Sequence, residues 1–153
     1  MKILFVCSGN TCRSPMAEVL MGQAAVEHGL PGLSAESAGT GALEGEPASE
    51  GSYLVALEAG LDLSRHRARQ LTPELVNAAD LILTMSRSHL SRVETMGGGG
   101  KSWLLSEYGG QAGGTAEVSD PFGAVVEVYR QTFAQVESLV AGVAHRLSDR
   151  REP

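Results

Sequence analysis

Four short strand-like stretches, two of them continuous apolar runs, are spaced along the chain, and helical patterns fill the intervals between them. Ile3, Leu4, Phe5 and Val6 are apolar at every position, and the run is rich in β-branched and aromatic residues. Such a run is buried on both faces, as strands of a parallel sheet are. Ser34 to Ala38 predicts a second strand, closed by Gly39-Thr40-Gly41. Asp80 to Met85 (DLILTM) predicts a third, central and buried, and Lys101 to Leu105 a fourth. Met16, Val19, Leu20 and Ala24 recur at helical spacing within 15–28, and Gly29 suits the end of that helix. A second helix is expected over 48–59, stopped by Gly60. Thr72-Pro73 opens a short one to about Ala78. Ser86 opens another to about Met96, before the break Gly97–Gly100. Val125, Val128, Phe133, Val136, Leu139, Val140, Val143 and Leu147 form a broad apolar stripe on a helix over about 124–147. The stretches 41–50 and 109–114 read as loops, and the charged tail from Asp149 as frayed.

The order β-α-β-α-α-β-α-β-α implies one α/β domain over residues 1–153, with a short parallel sheet and helices on both faces. Right-handed crossovers bring all strand C-termini to one edge, where ligands bind.

Composition narrows the function classes. The 153 residues are 42% hydrophobic, enough for a core, and carry a net charge of −6. No basic patch is evident, so nucleic acid is not an expected partner. No apolar run reaches the length of a membrane span, and the N-terminus enters a strand without a signal-peptide core. Cys7 and Cys12, five apart on one tight loop, are no disulfide framework, so a reducing cytoplasmic setting is expected.

The chemistry concentrates directly after the first strand. Cys7-Ser8-Gly9-Asn10-Thr11-Cys12-Arg13 is a polar loop, Ser14 can cap the following helix, and Pro15 suits its first turn. A thiol therefore sits between a strand end and a helix N-terminus, where unpaired N–H groups and the helix dipole favour anions. Gly9 and Asn10 tolerate positive φ, so the loop can curl into a nest of N–H donors. Arg13 adds a planar fork that matches phosphate oxygens. Such a field favours a thiolate, and a thiolate under a phosphate cradle is a nucleophile aimed at phosphorus. A Walker loop and a Rossmann turn share the strand–loop–helix setting. The sequence lacks both the Gly-Lys-Ser/Thr ending and the G-x-G-x-x-G pattern.

CSGNTCRSPMAE, with the SAGT segment at 37–40, SRHRARQL at 64–71, ADLILTM and the later Asp120-Pro121-Phe122, resembles the low-molecular-weight protein tyrosine phosphatase family over nearly the whole chain. The resemblance implies a three-layer α/β/α domain, phosphotyrosine phosphatase I-like, with four parallel strands in the order 2-1-3-4. It implies Cys7 as nucleophile, Arg13 and the loop Ser8, Gly9, Asn10, Thr11, Cys12 and Ser14 as the phosphate cradle, and Asp120 as the acid. By the same resemblance Ser14 donates to the Cys7 sulfur, while Ser37 and His66 support Asn10. Cys12 is placed to form a reversible disulfide with an oxidised Cys7. Arg65, Arg67 and Arg69 read as surface charges.

Thr11 resembles the arginine-phosphatase branch, since tyrosine-directed members usually carry an aliphatic residue there. Phe122 followed by Gly123 departs from the tyrosine pair that other members present after Asp-Pro. The expected function is a phosphatase that removes phosphate from phosphoarginine in proteins or peptides through a phosphocysteine. It would release inorganic phosphate as a monomer without cofactor or metal. Phosphotyrosine is the alternative substrate. An arsenate reductase is a weaker alternative, because that role needs redox thiols beyond the loop and no Cys follows Cys12. A non-catalytic phosphate-binding module would have no use for Cys7, Arg13 and Asp120 together.

Overall fold

The structure, a computed structural model, describes residues 1–110 and 117–151. Its elements run β1 (Lys2–Cys7), α1 (Arg13–Glu27), β2 (Ser34–Gly39), α2 (Glu50–Glu58), α3 (Pro73–Ala78), β3 (Leu81–Thr84), α4 (Arg87–Val93), β4 (Ser102–Leu104), α5 (Leu105–Gly109) and α6 (Val126–Arg151). The four strands are parallel and lie in the order β2-β1-β3-β4. The expected order 2-1-3-4 is thus the observed one.

β1 is apolar from Ile3 to Cys7 because both of its faces are covered there. Ile3, Phe5 and Cys7 face a core shared with Met16, Leu20, Val136 and Val140, on the side of α1 and α6. Leu4 and Val6 face the opposite core, with Val76, Ile82 and Val93 on the side of α3 and α4. The strand period of two therefore assigns the Cys7 side chain to the α1 face. Each fully buried aliphatic or aromatic side chain of this run contributes about 1.5–3 kcal/mol.

Several boundaries differ from those expected. α1 begins at Arg13, so Ser14 lies inside the first turn and is not its cap; Cys12 takes that position without a capping side-chain bond. Gly9 does not take a positive φ; Asn10 alone of the two does, at 56°. α4 stops short of the expected end near Met96, because its end widens into a π turn over Glu94–Gly98, with Gly97 at φ 94°. α5 was not expected: the fourth strand stops at Leu104, and Leu105 and Tyr108 turn into the core. α6 starts and ends later than its apolar stripe and continues through Asp149 to Arg151, so that segment is helix rather than frayed tail. The part of the expected glycine-rich loop at 111–114 lies outside the described residues.

Candidate active site

The C-terminal ends of β1 and β2 meet at the Cys7 loop. Cys7 is paired with Gly39 in register, and the loop carbonyls are fastened to the residues just beyond β2. Thr40 N–H donates to Cys7 O and Gly41 N–H to Ser8 O, each at 2.9 Å. Gly39 has to be glycine at this approach: a Cβ there would run into Ser8 O and sit 2.9 Å from the Asn10 nitrogen. The SAGT segment is therefore the brace of the loop.

Asn10 anchors the loop from inside. It is fully buried and left-handed. Its Nδ2 donates to Ser14 Oγ (2.8 Å) and Ser37 Oγ (2.9 Å), and its Oδ1 accepts from Arg69 N–H (2.9 Å). His66 Nε2 lies 2.6 Å from Asn10 O and, since a carbonyl only accepts, donates to it. Ser37 Oγ donates onward to Glu18 Oε1 at 2.7 Å. Ser37 and His66 thus contact Asn10 as expected. Arg69 corrects its expectation: it is half-buried, its Nε donates to Ser37 O at 2.9 Å, and it pairs with Glu36 at 3.1 Å.

Cys7 is 2% exposed, and its Sγ lies 2.9 Å from Ser14 Oγ. Ser14 Oγ already accepts from Asn10 Nδ2, so its own proton is free to point at the sulfur. The hydroxyl that could have capped α1 is used on the thiol instead. Arg13, 5% exposed, donates through Nη1 to Val118 O (2.9 Å) and through Nη2 to Ser8 Oγ (3.4 Å). Its buried Nε has no protein partner among the described residues. Nor does a protein acceptor take the N–H groups of Ser8, Gly9, Asn10, Thr11 or Cys12 there. Those donors suit a tetrahedral oxyanion.

Asp120 faces Arg13 across the mouth, with Oδ2 3.6 Å from Nη2. Its Oδ1 accepts from Phe122 N–H (3.1 Å), an Asx turn that holds the half-exposed carboxyl in place. Cys7, Ser8, Gly9, Thr11, Cys12, Arg13, Gly41, Asp120 and Phe122 line one cavity of about 270 Å³. Phe122 is 73% exposed at its rim. Asn10 and Ser14 lie behind this surface and hold it. Cys12 is a free thiol, 3.3 Å from Ser49 Oγ and 3.6 Å from the Tyr129 hydroxyl.

One neighbour carries no expectation from the sequence. His89, 3% exposed, reaches from α4 to Ser8 Oγ with Nε2 at 2.9 Å. Burial and the adjacent Arg13 charge push its pKa down to about 4, against an opposing pull from Glu117 and Asp120. The signal was the spacing Ser86-x-x-His89 at a helix start, since the imidazole takes the place of the usual Glu in a capping box. Among the described residues no group of three or more His, Cys, Asp or Glu is arranged to hold a metal ion, and no helix is long and apolar enough to cross a membrane.

Residues 2–152 match the family described as low molecular weight phosphotyrosine protein phosphatase. The chain is 38% identical over 154 residues to a protein-arginine-phosphatase of Bacillus subtilis (strain 168), covering 99% of this chain and 100% of that one. It is 51% identical over 92 residues to the probable low molecular weight protein-tyrosine-phosphatase EpsP of Ralstonia solanacearum, a match spanning 60% of each chain. Among solved structures, YwlE arginine phosphatase, as a cysteine-to-serine mutant with a phosphorylated active-site serine, superposes with a TM-score of 0.89 at 36% identity. That match covers 99% of this chain and 98% of the other.

Proposed function

The chain belongs to the low molecular weight phosphotyrosine protein phosphatase family, and from that premise we propose that it hydrolyses phosphoarginine in proteins through a phosphocysteine. One observation carries the reading: Cys7, Arg13 and Asp120 border a single cavity, with the sulfur at its floor and the carboxyl at its mouth.

The Cys7 thiolate attacks phosphorus as the bond from phosphorus to the guanidinium nitrogen breaks. Asp120 protonates that nitrogen, and arginine leaves. The charge on the transferring group is held by Arg13 and by the loop N–H groups of Ser8, Gly9, Asn10, Thr11, Cys12 and Ser14. Asp120, now a carboxylate, takes a proton from water as the water attacks the phosphocysteine. Inorganic phosphate is released and the thiolate returns. Ser14 positions the sulfur, and Ser37 and His66 hold Asn10 and hence the loop. No metal or cofactor enters these steps.

Thr11 supports the arginine substrate. It borders the cavity, where its hydroxyl can meet a planar cationic guanidinium that an aliphatic side chain would leave unpaired. Phe122 stands alone at the rim, since Gly123 follows. Full-length similarity to a protein-arginine-phosphatase points the same way. The 51% match to a tyrosine-directed relative favours phosphotyrosine as the second reading. The protein is taken to work as a cytoplasmic monomer.

The test compares a phosphoarginine peptide with a phosphotyrosine peptide of the same sequence. Wild type is expected to have the higher kcat/KM on phosphoarginine, and Thr11→Ile to shift the ratio at least tenfold towards phosphotyrosine. Cys7→Ser is expected to have no turnover on either. The same preference in wild type and Thr11→Ile would remove the argument for arginine. Full activity in Cys7→Ser would remove the thiolate mechanism.

A further inference from the structure

We propose that the Ser8 side chain is itself a ligand of the phosphoryl group, donating its hydroxyl proton to a phosphoryl oxygen, and that His89 is the positioning residue that aims it. The inference rests on the phosphatase reading above and adds two side-chain roles to it.

Hydrogen-bond parity fixes the direction of each bond around Ser8. Ser86 N–H, which can only donate, lies 3.1 Å from His89 Nδ1. Nδ1 is therefore the unprotonated nitrogen, and the ring proton is on Nε2. Nε2 lies 2.9 Å from Ser8 Oγ, so the imidazole donates and the hydroxyl accepts. Arg13 Nη2 donates to the same oxygen at 3.4 Å. A serine hydroxyl has two acceptor sites and one proton. Both acceptor sites are taken, so the proton is left for a third partner. Ser8 is exposed and borders the cavity whose floor is Cys7 and whose wall includes Arg13. An oxyanion held there is the acceptor within reach.

His89 suits a positioning role. It is almost fully buried, comes from α4 rather than from the loop, and is fixed at Nδ1 by both the N–H and the hydroxyl of Ser86. Its low pKa keeps it neutral, so it orients Ser8 without adding a second cation beside Arg13. Through Ser8 it also steadies the guanidinium.

The experiment measures kcat/KM on para-nitrophenyl phosphate, inhibition by orthovanadate and calorimetric binding of inorganic phosphate, with thermal melting as the check on folding. Ser8→Ala is expected to lose about tenfold in all three, the usual scale for one hydrogen bond to a charged group. Ser8→Thr, which keeps a hydroxyl, should stay within about threefold of wild type. His89→Leu should lose as much as Ser8→Ala, and His89→Gln, whose amide can donate, should recover part of it. In the Ser8→Ala background, His89→Leu should cause no further loss. Wild-type constants in Ser8→Ala overturn the proposal. So does a full additional loss from His89→Leu in that background, which would mean a purely structural histidine. Should His89→Leu fail to fold, Ser8→Ala and Ser8→Thr decide alone. A wild-type protein that fails to hydrolyse para-nitrophenyl phosphate would refute the phosphatase reading, whereas the phosphate titrations test Ser8 independently of turnover.

Discussion

Replacing Asn10 by alanine should remove the pin on which the active-site loop turns. Three side-chain hydrogen bonds disappear, to Ser14 Oγ, Ser37 Oγ and Arg69 N–H, all in a fully buried position. At about 1 kcal/mol net for each, that is about 3 kcal/mol. Alanine must also hold φ near 56°, which adds roughly 1 kcal/mol that asparagine largely avoids. The bond from His66 to Asn10 O involves the backbone and survives. The expected loss is therefore about 4 kcal/mol, a large part of the 5–15 kcal/mol typical of a domain. Urea unfolding followed by fluorescence reads it as a shift in midpoint at constant slope. Asn10→Gly loses the same bonds but not the left-handed preference, so it should be more stable than Asn10→Ala by about 1 kcal/mol. Both variants should also lose turnover, because Ser14 Oγ no longer has a donor fixing its proton on the sulfur. An Asn10→Ala protein within about 1 kcal/mol of wild type would refute the reasoning. A glycine variant no more stable than the alanine one would refute the argument from backbone strain.

Three further outcomes are expected. Asp120→Asn should lower kcat by about 10²–10⁴-fold on phosphoarginine peptide, the range of general acid–base catalysis, and by less on an aryl phosphate whose leaving group needs no proton. A Cys12→Ser protein should be inactivated irreversibly by hydrogen peroxide. Wild type should regain activity with dithiothreitol, because the Cys7 sulfenic acid condenses with the Cys12 thiol, releasing water and forming a disulfide. Stability should fall as pH is lowered, through His89. Its folded pKa of about 4 lies below the unfolded value near 6.5, so between the two the unfolded chain binds the additional proton. The contribution is fully present above pH 6.5 and is lost as pH drops to 4. Solvent screening at the pocket mouth brings it to about 2 kcal/mol. Denaturation midpoints across pH 4–7 should be flatter in His89→Gln than in wild type.

The sheet was legible because its signals are contiguous. The runs Ile3–Val6 and Leu81–Leu83 are apolar at every position, and the nucleophile loop is seven consecutive residues. What was hidden depends on neighbours far away in sequence. From local spacing alone Ser14 reads as a helix cap; only the family resemblance put it beside the Cys7 sulfur, where it lies. Arg69 looks like surface charge, yet its backbone and side chain hold Asn10 and Ser37 across more than thirty residues. The short turn of α5 is fixed by Leu105 and Tyr108 reaching the core, which no local period announces. His89 is a lone histidine on a short helix, and only the position of Ser8 shows where its ring points.

The contact between Gly39 and the carbonyl of Ser8 leaves no room for even one additional carbon. A receptor wedged so firmly against its own β-sheet cannot swing shut around an incoming guest. Its shape is finished before the guest arrives, so little reorganisation remains for the moment of reaction. Under the proposed function, choice among guests falls to Thr11 and Phe122, which can be exchanged while the mould beneath stays the same.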